Sequence, residues 1–424
     1  KEEQASPFLL DHWGDEKHEH ALAYDVEEWL DHCKEHTFAS VSIPLSMEEA
    51  EQIISVYSSH VRSNKQITPD LEQKMEEIAQ RMDIAMAQIK EEAPAKFRSG
   101  FFVRLSSRSP KDAGFDTDYK NRMAQLLLKH MSEHPIQEYY SQAEIETMKS
   151  SDLSNVQRPT MMGNEEWLKH KLVDDELLNS LLVANYHSNL YYQALSDILC
   201  VQNGAEAVQL LTRSERTYND LIYEGKYPET WKMQIILRQW DRRVRLDHEF
   251  RVFVSCGTIS AISQYNPYSY YPGLYNEKNE IRRRIMEYHD LVAPSIPYQT
   301  YVIDYLVTED TVKVIELNPF SNTTGACLFQ WEYDRRTLQA GKDVWGDLEE
   351  WEAKFGISYS PSELQESENQ EFPVIRIRET FFPSIVDYCA LQNETLRATY
   401  ELQSQNRSLQ SNSFPPWFSW CSTL

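Results

Sequence analysis

The sequence predicts a mixed α+β fold, and three observations carry that prediction. Short apolar runs bounded by turn residues read as strands at 101–105, 234–239, 249–254, 258–263, 300–307 and 312–318. Longer stretches between them place apolar residues at helical spacing. The dipeptide Cys256-Gly257 joins two of the strand-like runs and reads as a hairpin.

The elements follow in order. Residues 1–36 form an acidic segment with histidines at 12, 18, 20, 32 and 36, whose spacing matches no compact metal-ligand set. Thr37–Leu45 reads as a strand. Ser46-Met-Glu-Glu49 is a capping box, and Met47, Ala50, Ile54, Tyr57 and Val61 recur at helical spacing. Thr68-Pro69 starts a second helix, with Leu71, Met75, Ile78, Met82, Ala85 and Ile89 on one face and Pro94 at its end. Phe101–Leu105 feeds a polar turn, Ser106–Asp112. Residues 116–195 are helix-rich without a chemical motif, a proline-containing break follows at 226–229, and the last 90 residues read as helix and loop.

The 424 residues carry a net charge of −24, which repels phosphate backbones, so nucleic acid is not an expected partner of the whole surface. No apolar run reaches the roughly 18–20 residues of a membrane span. The six cysteines form no CxxC pair, and reduced thiols are expected. There is no GxxxxGK[ST] loop, no strand-linked GxGxxG, no GxSxG elbow and no HExxH.

Three constellations bear chemistry. In Val312–Asn318, alternation puts Val312, Val314, Glu316 and Asn318 on one side, and a carboxylate and an amide two apart suit magnesium. Asp304 on the preceding strand faces Glu316 if the hairpin loop holds an odd number of residues, such as Glu309-Asp-Thr311. An ordinary acidic hairpin explains the same spacing. In the second constellation Glu249, Arg251 and Phe253 share a face, with Arg238, Arg242, Arg243 and Arg245 upstream and Arg282-Arg-Arg284 downstream. These reverse the local charge, as a triphosphate pocket or the docking face of an acidic partner requires. The third runs from Arg104 to Asp112, where Arg104, Arg108, Lys111 and the serine hydroxyls are offered to an anion.

In order, the chain reads Arg104-Leu-Ser-Ser-Arg-Ser-Pro-Lys-Asp-Ala113, Ile236-Leu-Arg-Gln-Trp240, Glu249-Phe-Arg-Val-Phe-Val254, Ala261-Ile-Ser-Gln264, Tyr270-Tyr-Pro272, Ile315-Glu-Leu-Asn-Pro-Phe320 and Leu328-Phe-Gln-Trp-Glu332. This series resembles the cell division cycle protein 123 (D123) family over roughly 37–115 and 196–332. The resemblance implies an ATP-grasp fold with a nucleotide cleft between two α+β lobes. It divides the chain into an N-terminal segment 1–36, an N-terminal lobe 37–115, a helical insertion 116–195, a core and C-terminal lobe 196–335, and an extension 336–424. It also implies ATP and Mg2+ as ligands. Gln234–Arg238 would be the hinge that pairs its backbone with adenine, with Ile236, Leu237 and Arg238 at the nucleotide; Arg104, Arg108, Lys111, Glu249 and Arg251 would line the nucleotide site, and Asp304, Glu316 and Asn318 would hold the metal. Arg104 and Arg251 would be the catalytic arginines in any phosphoryl transfer.

The implied role is cytoplasmic. It is that of an ATP-loaded clamp assembling translation initiation factor two through its gamma subunit. The alternative is an ATP-grasp ligase or phosphotransferase that activates an acceptor. The chain departs from the family pattern in the insertion, in the arginine at 104 where the family has lysine, and in its last 90 residues.

Overall fold

A computed structural model describes residues 22–113, 119–150, 174–340, 373–379 and 399. Its helices include α1 (Val26–Leu30), α2 (Met47–Tyr57), α3 (Pro69–Glu92), α4 (Lys120–Glu133), α5 (Gln142–Ser150), α6 (Asp174–Asp197), α7 (Gly204–Arg213), α8 (Glu215–Glu224) and α9 (Pro272–Val292). The strands are β1 (Ser40–Pro44), β2 (Phe101–Leu105), β3 (Cys200–Val201), β4 (Gln234–Gln239), β5 (Glu249–Ser255), β6 (Thr258–Gln264), β7 (Tyr301–Val307), β8 (Val312–Asn318) and β9 (Val374–Arg376). They build two sheets, a four-stranded one of order β1-β4-β2-β3 and a five-stranded one of order β8-β7-β5-β6-β9. The mixed α+β expectation therefore holds.

The chain divides into two compact units. The first takes Lys1–Pro110, Val201–Tyr265 and Lys278–Ile377; the second takes Lys111–Cys200, Asn266–Glu277 and Arg378–Leu424. Within the second unit the described elements are helical. Asn185 of α6 donates to the Tyr270 carbonyl at 2.8 Å and accepts from the Tyr270 amide at 2.9 Å.

In the first unit, the local signals act as written in the sequence. Ser46 caps α2: its hydroxyl accepts from the Glu49 amide, and the Glu49 carboxylate accepts from the Ser46 amide. Thr68 caps α3 in the same sense, with Pro69 at its first position. The buried face of α2 is Ala50, Ile53, Val56 and Tyr57, so Ile54 and Val61 do not carry the stripe. Two adjacent isoleucines make the period ambiguous, and a π-helical turn at Ser58–Arg62 ends the regular spacing before Val61. Met75, Ile78 and Met82 of α3 are buried as expected, joined by Ala79 and Met86.

The hairpin at Cys256-Gly257 has positive φ at both turn residues, 49° and 73°, which matches the right-handed twist of β5 and β6. Along β5, Phe253 packs with Ala261, Val302, Phe320 and Phe329 in a buried cluster. On the other side of this sheet, His289 of α9 meets the Tyr305 hydroxyl through Nδ1 at 2.8 Å. Burial pushes the His289 pKa down to about 4, with Asp290 opposing, so the imidazole is neutral there.

Candidate functional site at the junction of the two sheets

The β7–β8 hairpin sets the site. Its loop is Thr308–Thr311, closed by a hydrogen bond from the Thr308 amide to the Thr311 carbonyl at 2.9 Å. Four residues is an even number, and the odd loop expected from the sequence is not what forms. Val307 pairs with Val312, Leu306 with Lys313 and Tyr305 with Val314; the register then shifts, and Asp304 pairs with Glu316. A β-bulge at Ile315 supplies the odd residue.

The bulge also changes which side chains share a face. Val312, Val314 and Leu317 are buried, whereas Glu316 and Asn318 are half-buried opposite Asp304 and Val302. The expectation that Val312 and Val314 lie beside Glu316 and Asn318 is therefore corrected. An extra residue inverts the alternation, and strict period-two reasoning cannot see it.

Asp304 is fully buried. Arg251, its cross-strand neighbour, grips it through two parallel bonds, Nε to Oδ1 at 2.8 Å and Nη2 to Oδ2 at 2.7 Å. The third guanidinium nitrogen donates to the Gly325 carbonyl at 2.6 Å. Burial alone would lower the Arg251 pKa; Asp304 and its neighbours outweigh this and hold the group well above its ordinary value. Asn318 Nδ2 donates to Asp304 Oδ2 at 3.3 Å. Glu249 lies on the same face two residues before Arg251 and is buried.

The other sheet contributes Arg104, which is 2% exposed. Its Nη1 donates to Glu316 Oε1 at 2.6 Å, its Nε to the Leu105 carbonyl at 3.0 Å and its Nη2 to the Ser107 carbonyl at 3.1 Å. A buried guanidinium on an apolar strand thus meets a carboxylate. Arg238 of β4 is also buried, donating to the Ile315 carbonyl at 2.7 Å and to Thr37 Oγ1 at 2.8 Å. Its Nε is buried without a hydrogen-bond partner among the described residues. Burial and the neighbouring Arg104 push its pKa down to about 9, against the pull of Glu316.

Two expectations about this sheet change. β4 runs between β1 and β2, pairing Ile236 with Ser42 and Arg104, Leu237 with Val41 and Val103, and Arg238 with Ser40 and Phe102. Both backbone edges of 236–238 are taken, so an adenine has no free edge to pair with there. Two serines of the 106–112 turn are likewise engaged. Ser106 donates to Glu27 Oε1 at 2.8 Å and Ser107 to Asp220 Oδ2 at 2.7 Å. Arg108 reaches Asp220 at 3.3 Å from an exposed position, and Lys111 opens the second compact unit.

Those contacts reveal acidic residues that the sequence reading missed. Asp25, Glu27, Asp220 and Glu224 come from α1 and α8 and surround the turn. Burial, then Glu27 and Glu224, pushes Asp25 up to about 8. Burial, then Asp220, pushes Glu224 up to about 7. No local spacing joins residues 25 and 220, so only the fold could bring them together.

The residues fit a nucleotide–metal ligand in their chemistry. Arg104 and Arg251 are forked cations suited to phosphate oxygens. Asp304 and Glu316 are hard carboxylates on one face, and Asn318, its nitrogen used on Asp304, keeps an amide oxygen for a metal. Among the described residues no group of three or more His, Cys, Asp or Glu side chains is already gathered to hold a metal ion.

Residues 185–381 match the family profile described as D123. The chain is 32% identical over 143 residues to a Translation initiation factor eIF2 assembly protein of Candida albicans, covering 31% of this chain and 41% of that protein. It is 33% identical over 120 residues to the protein of that name from Xenopus laevis, covering 28% and 34%. It is 31% identical over 118 residues to Cell division cycle protein 123 of Candida glabrata, covering 27% and 32%. The chain thus matches less than half the length of these curated relatives. Among solved structures, Cdc123 from Schizosaccharomyces pombe aligns with a TM-score of 0.44 and 15% identity, over 84% of this chain and 96% of that one.

Proposed function

The chain belongs to the D123 family, and on that premise we propose that it is a cytoplasmic assembly factor for translation initiation factor two, working with ATP and Mg2+ bound at the junction of its two sheets. The names of its relatives support the assembly role, and the gamma subunit is the proposed contact. One observation supports the ligand. Two arginines and two carboxylates from both sheets neutralise one another in pairs, Arg104 with Glu316 and Arg251 with Asp304.

Such pairs are built for exchange. A triphosphate offers oxygens to the arginines, and its metal offers charge to the carboxylates, so each ionic group keeps a partner of opposite sign. Arg104 and Arg251 would take phosphate oxygens; Asp304, Glu316 and Asn318 would face the metal. The metal supplies neutralisation of the triphosphate charge. Ligand-linked joining of β2 to β8 would make the partner-binding surface depend on nucleotide.

The test is titration calorimetry with ATP and Mg2+ on the folded protein and on the Glu316→Ala/Asn318→Ala double variant, with capture of the factor's gamma subunit from extract in parallel. Metal-dependent binding lost in the double variant, with capture reduced, is the expected result. Unchanged ATP affinity in the variant removes the metal assignment. Turnover of bound ATP in the presence of an acceptor would move the protein to the ligase or phosphotransferase class.

A further inference from the structure

We propose that Arg238 is a positioning residue for the metal-facing side chains, because its guanidinium holds the β8 bulge that puts Glu316 and Asn318 on the face of Asp304. This rests on the site described above. It assigns a task to a side chain whose backbone the sequence had singled out for a different one.

The argument starts from parity. With a four-residue loop, a regular hairpin would place Ile315 opposite Asp304, and Glu316 would point to the far face with Tyr305. Only the extra residue at 315 brings Glu316 round to Arg104 and Asn318 round to Asp304. A bulge leaves backbone groups out of the ladder, and in a buried place these need partners.

Here they come from outside the hairpin. The Val314 amide donates to the His36 carbonyl at 2.9 Å, and Thr37 Oγ1 donates to the Val314 carbonyl at 2.7 Å. Arg238 Nη2 donates to that same Thr37 oxygen at 2.8 Å, while Nη1 donates to the Ile315 carbonyl at 2.7 Å. One planar fork therefore fixes two consecutive carbonyls of the bulge, one directly and one through Thr37. Its base is β4, an interior strand paired on both sides. The rings of Trp29 and Phe38 lie 5.8 and 5.5 Å from the guanidinium carbon.

The cost of this arrangement supports a geometric role. Arg238 is 3% exposed, keeps an Nε without a hydrogen-bond partner among the described residues and lies close enough to Arg104 to feel its charge. An apolar residue of similar volume would fill the space without burying that charge. What it could not do is satisfy two carbonyls at a set separation. Lysine would reach one of them.

The test uses the full chain with Arg238→Met, Arg238→Lys and the milder Thr37→Val, each without ligand. Hydrogen exchange is followed in peptides covering 301–307 and 312–318, with 101–105 and 40–44 as the reference. The expected result is faster exchange confined to the β7–β8 peptides, largest in Arg238→Met and smaller in Arg238→Lys and Thr37→Val. A rise spread equally over the reference peptides, or no rise at the bulge, overturns the proposal. A second arm compares thermal stabilisation by ATP with Mg2+ and with a chelator. Loss of only the metal-dependent increment in Arg238→Met supports positioning, and full retention of that increment overturns it. If the wild-type protein shows no such increment, the nucleotide reading itself fails, and the exchange arm still decides the role of Arg238.

Discussion

Arg104 uses all three guanidinium nitrogens inside a strand that is otherwise apolar, and its ion-pair partner among the described residues, Glu316, belongs to the other sheet. If Arg104 served a ligand alone, Arg104→Met would leave ligand-free stability unchanged. The pair with Glu316 changes that expectation. The change takes from the 16% exposed Glu316 carboxylate its 2.6 Å ion pair, so the variant should lose about 2–4 kcal/mol by chemical denaturation. Adding Glu316→Gln should recover part of it. Equal stability of wild type and Arg104→Met would show that the pair contributes nothing. Asp25 gives a prediction of opposite character. Its carboxyl is raised to about 8 in the folded protein, first by burial and then by Glu27 and Glu224, whereas in the unfolded chain it titrates near 4. The folded state therefore holds the proton more tightly, and this contribution to stability is full below about pH 4 and is lost as pH rises through about 8. Asp25→Asn should raise the melting temperature at about pH 8 and leave it nearly unchanged at about pH 4. A wild-type profile with no fall between those values, or one the variant does not flatten, would remove the raised carboxyl from the account.

At the scale of elements, legibility in the sequence follows how local the determining physics is. The caps of α2 and α3, the strands β2, β4 and β8, and the turn at Cys256-Gly257 depend on neighbours within a few residues, and the sequence predicts each at its place. The bulge in β8 depends on partners at 36, 37 and 238, so period-two reasoning paired Asp304 with Glu316 but supplied the wrong loop to do it. The acidic set around the 106–112 turn was invisible for the same reason. A tight element contact makes a further prediction. A Cβ on Gly204 would lie 1.9 Å from the Ala79 carbonyl oxygen, where α7 meets the backbone of α3. The Gly204 amide also donates to Asp83 Oδ1 at 2.7 Å. The obstacle is backbone, so the helices must separate. Gly204→Ala should cost about 1–3 kcal/mol, read as a lowered denaturation midpoint, although alanine favours an isolated helix by about 1 kcal/mol. A neutral or stabilising result would mean that α7 and α3 do not approach this closely.

For the whole molecule, the interleaving of the two units decides what can be removed. The chain leaves the first unit after Pro110, beyond β2, and returns at Val201 in β3, and these strands are neighbours in one sheet. A short linker can therefore close the gap left by residues 116–195 without drawing the sheet apart, since closure of a short loop between adjacent ends costs little entropy. Arg104, Arg238, Arg251, Asp304, Glu316 and Asn318 all lie in the first unit, so the deletion leaves them in place. The second unit fares differently. It includes Asn266–Glu277, and the backbone of Tyr270 is held by the Asn185 amide, which the deletion removes. Tyr270, now 1% exposed, would lose that cover, and an apolar strap of tyrosines would face solvent. The deletion variant should accordingly keep slow hydrogen exchange in β4 and β7 and keep any stabilisation by ATP with Mg2+ that the full chain shows, while becoming prone to association at high concentration. Replacing Tyr270 and Tyr271 with serine in the same variant should reduce that association. An unfolded deletion variant, with β4 exchanging as fast as a disordered chain even after the serine changes, would show that residues 116–195 are part of what folds the first unit rather than an addition to it.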